Sequence, residues 1–107
     1  MSAATITLAF KTLADPTRRA VFERIAKGGE VTATALVKGS RVSQPAVSQH
    51  LKALREAGLV AERREGRLIH YRVEPKGLAP VIDWLGVYAA FWREKFENLE
   101  QLLSEMK

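Results

Sequence analysis

At Gly58 the hydrophobic period of the chain changes, and that change restricts the fold more than any other feature of the sequence. Before it, Val47, Leu51 and Leu54 fall at i, i+4 and i+7 and share one helix face. After it, Leu59-Val60-Ala61 enters a strand, Glu65-Gly66 is a turn signal, and Ile69, Tyr71 and Val73 alternate with Leu68, His70 and Arg72. A helix therefore runs straight into a hairpin. Ser43 carries the side-chain oxygen that an N-cap needs, and Gly58 suits the C-terminal end.

The segments on either side complete the order of elements. Ile6, Leu8, Phe10 and Leu13 make a weak first helix. Asp15 then serves as an N-cap with Pro16 at the first helical position, where its missing amide hydrogen costs nothing, and Val21, Phe22 and Ile25 form the apolar stripe. Gly28-Gly29 stops that helix, and Thr32 caps a short one that carries Ala35 and Leu36 and ends near Gly39-Ser40. Past Pro75-Lys76-Gly77 a last helix tolerates Pro80 in its first turn and meets no strong breaker, although Gly86 is a candidate kink. The predicted fold is mainly α with a β-hairpin wing, order α-α-α-α-β-β-α, which is the arrangement of a winged helix-turn-helix.

A chain of 107 residues is one domain, here residues 1–107, and it has too little sequence for two cores. Within it, Trp84, Tyr88, Phe91, Lys95, Leu99, Leu102 and Met106 approximate a heptad-like stripe, thickened by Trp92, Phe96 and Leu103. A helix over 78–105 is about 42 Å long, against a radius of gyration near 13 Å for a domain of this size. It overhangs its own core, and a second copy of the chain is the simplest cover. The terminal helices, about 3–13 and 78–105, are thus expected to form a homodimer interface, with Trp84, Tyr88, Phe91, Trp92, Leu99 and Leu102 in it.

Charge places a second surface elsewhere. Residues 1–40 hold six Lys/Arg against three Asp/Glu, residues 41–76 eight against four, and residues 77–107 three against five, so the net +5 is a +7 front and a −2 tail. An anionic partner should meet the front. The helix after Ser43 turns Pro45, Gln49, Lys52 and Glu56 away from its apolar face, with Ser48 and Arg55 on the flank. Polar, uncharged side chains running on into Lys and Arg suit base edges and phosphates, although an ordinary solvated face has the same composition. The hairpin tip places Arg63, Arg64 and Arg67 around a flexible turn, and the planar guanidinium fork can donate two hydrogen bonds to one phosphate.

Other chemistry is largely excluded. Without cysteine there are no disulfides, thiolate metal sites or thiol redox switches, and a cytoplasmic location fits. No basic n-region precedes a long apolar stretch at the start, and the most apolar run, residues 78–92, contains Asp83 and is shorter than a bilayer span. No membrane association is expected. His50 and His70 are twenty residues apart and read as packed or surface histidines. No Ser/His/acid set, carboxylate pair or phosphate-cradling glycine loop is present, so neither an enzyme nor a cofactor site is expected.

Four strings carry a family resemblance: Leu13-Ala-Asp-Pro-Thr-Arg-Arg19, Ser43-Gln-Pro-Ala-Val-Ser-Gln-His-Leu51, Glu56-Ala-Gly-Leu-Val60, and Arg63-Arg-Glu-Gly-Arg67 followed by Tyr71-Arg-Val73. In this unbroken order, from about Phe10 to Leu103, the chain resembles the ArsR-type winged-helix repressors. The resemblance implies a homodimeric transcription factor bound to double-stranded DNA, with its recognition helix in the major groove and its wing on the adjacent backbone or minor groove. Ser43, Gln44, Ser48 and Gln49 would face bases and nearby phosphates, Lys52 a phosphate, and Arg63, Arg64 and Arg67 the wing contact. Gln pairs bidentately with adenine, which makes base readout chemically reasonable.

The departures from the family pattern matter equally. Where many members carry a metal-sensing cysteine pair, the string Glu30-Val-Thr-Ala-Thr-Ala-Leu36 offers Thr32 and Thr34, and hydroxyls do not replace thiolates for soft metals. The family's other site, an Asp with histidines along the last helix, is reduced to Asp83. A metal-independent regulator is expected, with no motif for an effector. The competing reading is a protein-interaction module on the same fold, and the three arginines of the hairpin tip weigh against it.

Overall fold

The computed structural model describes residues 3–106, so Met1, Ser2 and Lys107, which the domain boundaries 1–107 include, lie outside the described residues. Five helices and three strands follow one another: α1 (Ala3–Ala14), α2 (Pro16–Gly28), β1 (Glu30–Thr32), α3 (Ala33–Lys38), α4 (Gln44–Glu56), β2 (Val60–Glu65), β3 (Leu68–Val73) and α5 (Pro75–Glu105). The expected helices and hairpin are all there. Strand β1 is an addition: it pairs antiparallel with β3, Val31 opposite Tyr71, so the sheet has the order β1-β3-β2 with the second hairpin strand in its centre.

Side chains at the helix ends explain where each helix starts and stops. The Asp15 carboxylate accepts the Arg18 amide at 2.9 Å, Thr32 Oγ1 accepts the Ala35 amide at 3.1 Å and Ser43 Oγ accepts the Ala46 amide at 3.3 Å, each satisfying an otherwise orphaned donor. At the far end of α4, Leu59 donates to the Leu54 carbonyl at 3.0 Å and Gly58 to that of Arg55 at 2.9 Å, with Gly58 at φ 75°. That is the Schellman arrangement, and its positive φ favours glycine. The turn between α1 and α2 is tied by Arg19, whose Nη1 donates to the Leu13 carbonyl at 2.9 Å.

The cap at Asp15 carries a pH dependence. The Arg18 amide holds the Asp15 carboxyl below its ordinary value of 3.8, so the cap stabilises the fold above that value and is lost as pH falls through the lower, folded one. Asp15→Asn is expected to keep the cap at neutral pH and to flatten the acid loss of stability, read from urea midpoints at about pH 7 and pH 3. Equal acid sensitivity in both proteins would contradict this origin.

The core lies between the sheet and α2, α3 and α4, where Ile25, Leu36, Leu54 and Leu59 are fully buried. Helix α1 meets it through Ala9, Thr12 and Leu13, while Leu8 and Phe10 are exposed. The apolar pattern of α1 thus serves two surfaces, and Phe10 turns to α5, edge-on to Trp84 with centroids 5.5 Å apart. Arg24 of α2 crosses to α3 and donates to the carbonyls of Leu36 at 2.6 Å and Ala35 at 3.0 Å, which fixes the short helix that precedes α4.

Helix α5 begins three residues earlier than the breaker-rich Pro75-Lys76-Gly77 implied, with Pro75 in its first turn and Glu74 accepting the Lys76 amide at 3.3 Å. Pro80 lies within it, buried against the core. Its 31 residues span about 46 Å, and the chain extends 63 × 32 × 21 Å with a radius of gyration of 18.3 Å. A compact chain of this length has about 13 Å, and the excess is the overhang of α5.

Candidate nucleic-acid interface

Helix α4 divides cleanly into two faces. Val47, Leu51 and Leu54 are no more than 2% exposed, whereas Gln44, Ser48, Gln49 and Lys52 are all open to solvent. Burial of the first set fixes the rotation of the helix and so fixes what the second set presents. Ser43 stands exposed at the cap, with its oxygen engaged by the Ala46 amide and its own proton still available.

Gln44 and Ser48 do not stand alone. With Val47 they form one wall of a groove of about 280 Å³, and Ala33, Thr34, Val37 and Lys38 of α3 form the other. Thr34 and Lys38 thus adjoin the α4 surface although their own short helix has no period that points there. The helical wheel of α4 could not reveal them, because the signal is the crossing of two helices.

The wing begins at Val60, four residues after the end of α4. Glu62 of β2 pairs with Arg55 of α4 at 2.9 Å, which ties the hairpin to the helix and occupies the Arg55 side chain. Burial, and then the nearby Glu62 carboxylate, push the Tyr71 hydroxyl above its ordinary range. Gly66 turns the tip at φ 61°. Arg63, Arg64 and Arg67 are all exposed, yet they are not equivalent. Arg63 donates to Glu65 at 2.9 Å and also bonds to Glu30, and these bonds hold both carboxyls below their ordinary range and raise the guanidinium. Arg64 and Arg67 have no ion pair among the described residues.

The histidines and threonines are not assembled into a centre. His50 Nδ1 is buried without a partner among the described residues, His70 lies on the sheet, and Thr32 is engaged as a cap. Among the described residues no group of three or more His, Cys, Asp or Glu is placed to hold a metal ion. No helix of the described residues is long and apolar enough to cross a membrane.

Several known proteins are similar to this chain in sequence or in fold. A helix-turn-helix domain model matches residues 13–63. The arsenical resistance operon repressor of Escherichia coli is 41% identical over 100 residues, covering 91% of this chain and 80% of that one. Among solved structures, an ArsR-like transcriptional regulator from Rhodococcus superposes with a TM-score of 0.72 at 28% identity over 92% of each chain. A homodimeric winged helix-turn-helix DNA-binding domain from Mycobacterium bovis, a possible ArsR-family regulator, does so with a TM-score of 0.65 at 28% identity, covering 81% of this chain and 80% of that one. With its capped α4, its basic wing and these likenesses together, the chain belongs to the ArsR-type family of winged helix-turn-helix transcriptional regulators.

Proposed function

We propose that the protein is a homodimeric, metal-independent repressor that binds an inverted-repeat operator from the cytosol. The observation that carries this reading is the two-faced α4, whose buried Val47, Leu51 and Leu54 turn Gln44, Ser48, Gln49 and Lys52 outward as one polar surface. Set in the major groove, Gln49, Ser48 and Gln44 meet base edges, Ser43 and Lys52 meet phosphates, and Lys38 extends the basic rim. Arg64 and Arg67 of the wing meet the adjacent backbone. Two such helices related by a dimer axis read half-sites about 34–36 Å apart, and the bound dimer represses by excluding polymerase.

The dimer is formed by the terminal helices. Trp84, Tyr88, Phe91, Trp92, Leu99 and Leu102 are between 41% and 54% exposed along one side of α5, more apolar surface than a lone domain leaves bare. Reporter expression from an operator-bearing promoter should rise when the protein is removed, and no change would rule out repression.

Base reading and phosphate contact are separable. Gln49→Ala should weaken operator binding by about 1–3 kcal/mol and leave binding to random DNA nearly unchanged. Arg64→Ala should weaken both and lower the slope of log K against log salt by about one. Equal losses on operator and random DNA for Gln49→Ala would remove its base-reading role.

A further inference from the structure

The sheet face opposite α4 carries a charged cluster for which the DNA-reading surface has no use. Side chains of β2 alternate, so Val60, Glu62 and Arg64 lie on one face and Ala61, Arg63 and Glu65 on the other. The Arg55–Glu62 pair marks the first of these as the α4 side. Arg64 therefore shares the face turned to the recognition helix, and Arg63 points away from it. On that far face Arg63 stands opposite His70 of the central strand, and His70 stands opposite Thr32 of β1.

The Arg63 side chain crosses this central strand. Its Nη2 bonds to Glu30 Oε1 on β1, and its Nη1 donates at 2.9 Å to Glu65 Oε2 at the hairpin tip. His70 lies beneath, Nδ1 3.5 Å from Glu30 Oε1 and Nε2 3.5 Å from Glu65 Oε2. A rigid guanidinium fork so placed commits both of its terminal nitrogens to carboxylates of its own chain. Those carboxylates also repel an approaching phosphate. A two-stranded hairpin alone is marginal in water, so a strut from its tip to β1 restricts where the tip points.

We infer that Arg63 is a positioning residue: it clamps the wing tip to β1 and so aims Arg64 and Arg67 at the DNA backbone, without meeting a phosphate itself. This rests on the DNA-binding reading above. It divides the three wing arginines into one strut and two contacts.

The test compares salt dependence of operator binding in charge-matched variants. Arg64→Gln should lower the slope of log K against log salt by about 0.9, the value for one phosphate contact. Glu30→Gln combined with Arg63→Gln removes one charge of each sign and should leave that slope unchanged while weakening binding about threefold, the scale of one surface ion pair. In an Arg64→Gln, Arg67→Gln background the same pair should have no further effect on affinity, because the clamp acts through those two side chains; a general loss of folding would still register there. Thermal melts of each variant verify that it is folded. A slope reduced by about 0.9 in the Glu30/Arg63 pair would overturn the inference and make Arg63 a contact. A threefold loss persisting in the background lacking both arginines would overturn it as well. Failure of the unmutated protein to prefer operator over random DNA would instead overturn the function on which it rests.

Discussion

Gly77→Ala is expected to destabilise the protein by about 2–3 kcal/mol, although alanine is the better helix former by about 1 kcal/mol. Gly77 lies in the first turn of α5, where propensity alone favours the substitution. A Cβ added there falls 1.8 Å from the Gly58 carbonyl oxygen and 2.6 Å from its carbon. Those atoms are backbone, and they belong to the residue that closes α4 in its Schellman turn. Neither helix yields without moving the other. The strain exceeds the propensity gain because a close-packed interior relaxes only in part. Urea unfolding should show a lower midpoint at an unchanged slope. A variant as stable as the parent would mean that the start of α5 shifts freely, and then the dimer helix would not be set by the recognition helix.

That contact joins the two halves of the molecule, and nothing in the sequence announces it. What was legible were features whose physical cause is local: the oxygens of Asp15, Thr32 and Ser43 three residues before the amides they accept, the positive φ at Gly58, and the period of Val47, Leu51 and Leu54. What was hidden depends on segments far apart in sequence. Strand β1 has three residues, too few to show alternation, and it exists because Val31 packs beside Tyr71 forty residues later. The Arg63–Glu30 bond likewise spans 33 residues, so the arginines of the hairpin tip look alike in the sequence, and only the sheet sets Arg63 and Arg64 on opposite faces. Period also misleads where a helix serves two neighbours, as α1 does with Thr12 in the core and Phe10 against Trp84. On the candidate interface the legible part was α4, while Thr34 and Lys38 entered only with the crossing of α3.

Phe91→Ala and Trp92→Ala should each raise the dimer dissociation constant about 30-fold or more, the effect of about 2 kcal/mol at an interface hot spot. The two rings stand edge to face, 5.7 Å apart, and with Val87 and Tyr88 they line an open apolar concavity of about 470 Å³. They lie beyond the reach of the core, so their removal tests association with little effect on the fold. Trp84 is a poorer probe, because it also supports α1 through Phe10. A stable interface needs about 800 Å² from each partner, and a few aromatic rings at 150–250 Å² apiece supply most of that. Operator binding should fall with association, since a lone α4 reaches one half-site and loses the effective concentration that the second contributes. Random-DNA binding, which needs no fixed spacing, should fall less. Sedimentation of the unmutated protein as a monomer would sink the dimer, and with it the expectation of an inverted repeat; a dimer unmoved by either substitution would place the interface on another face of α5.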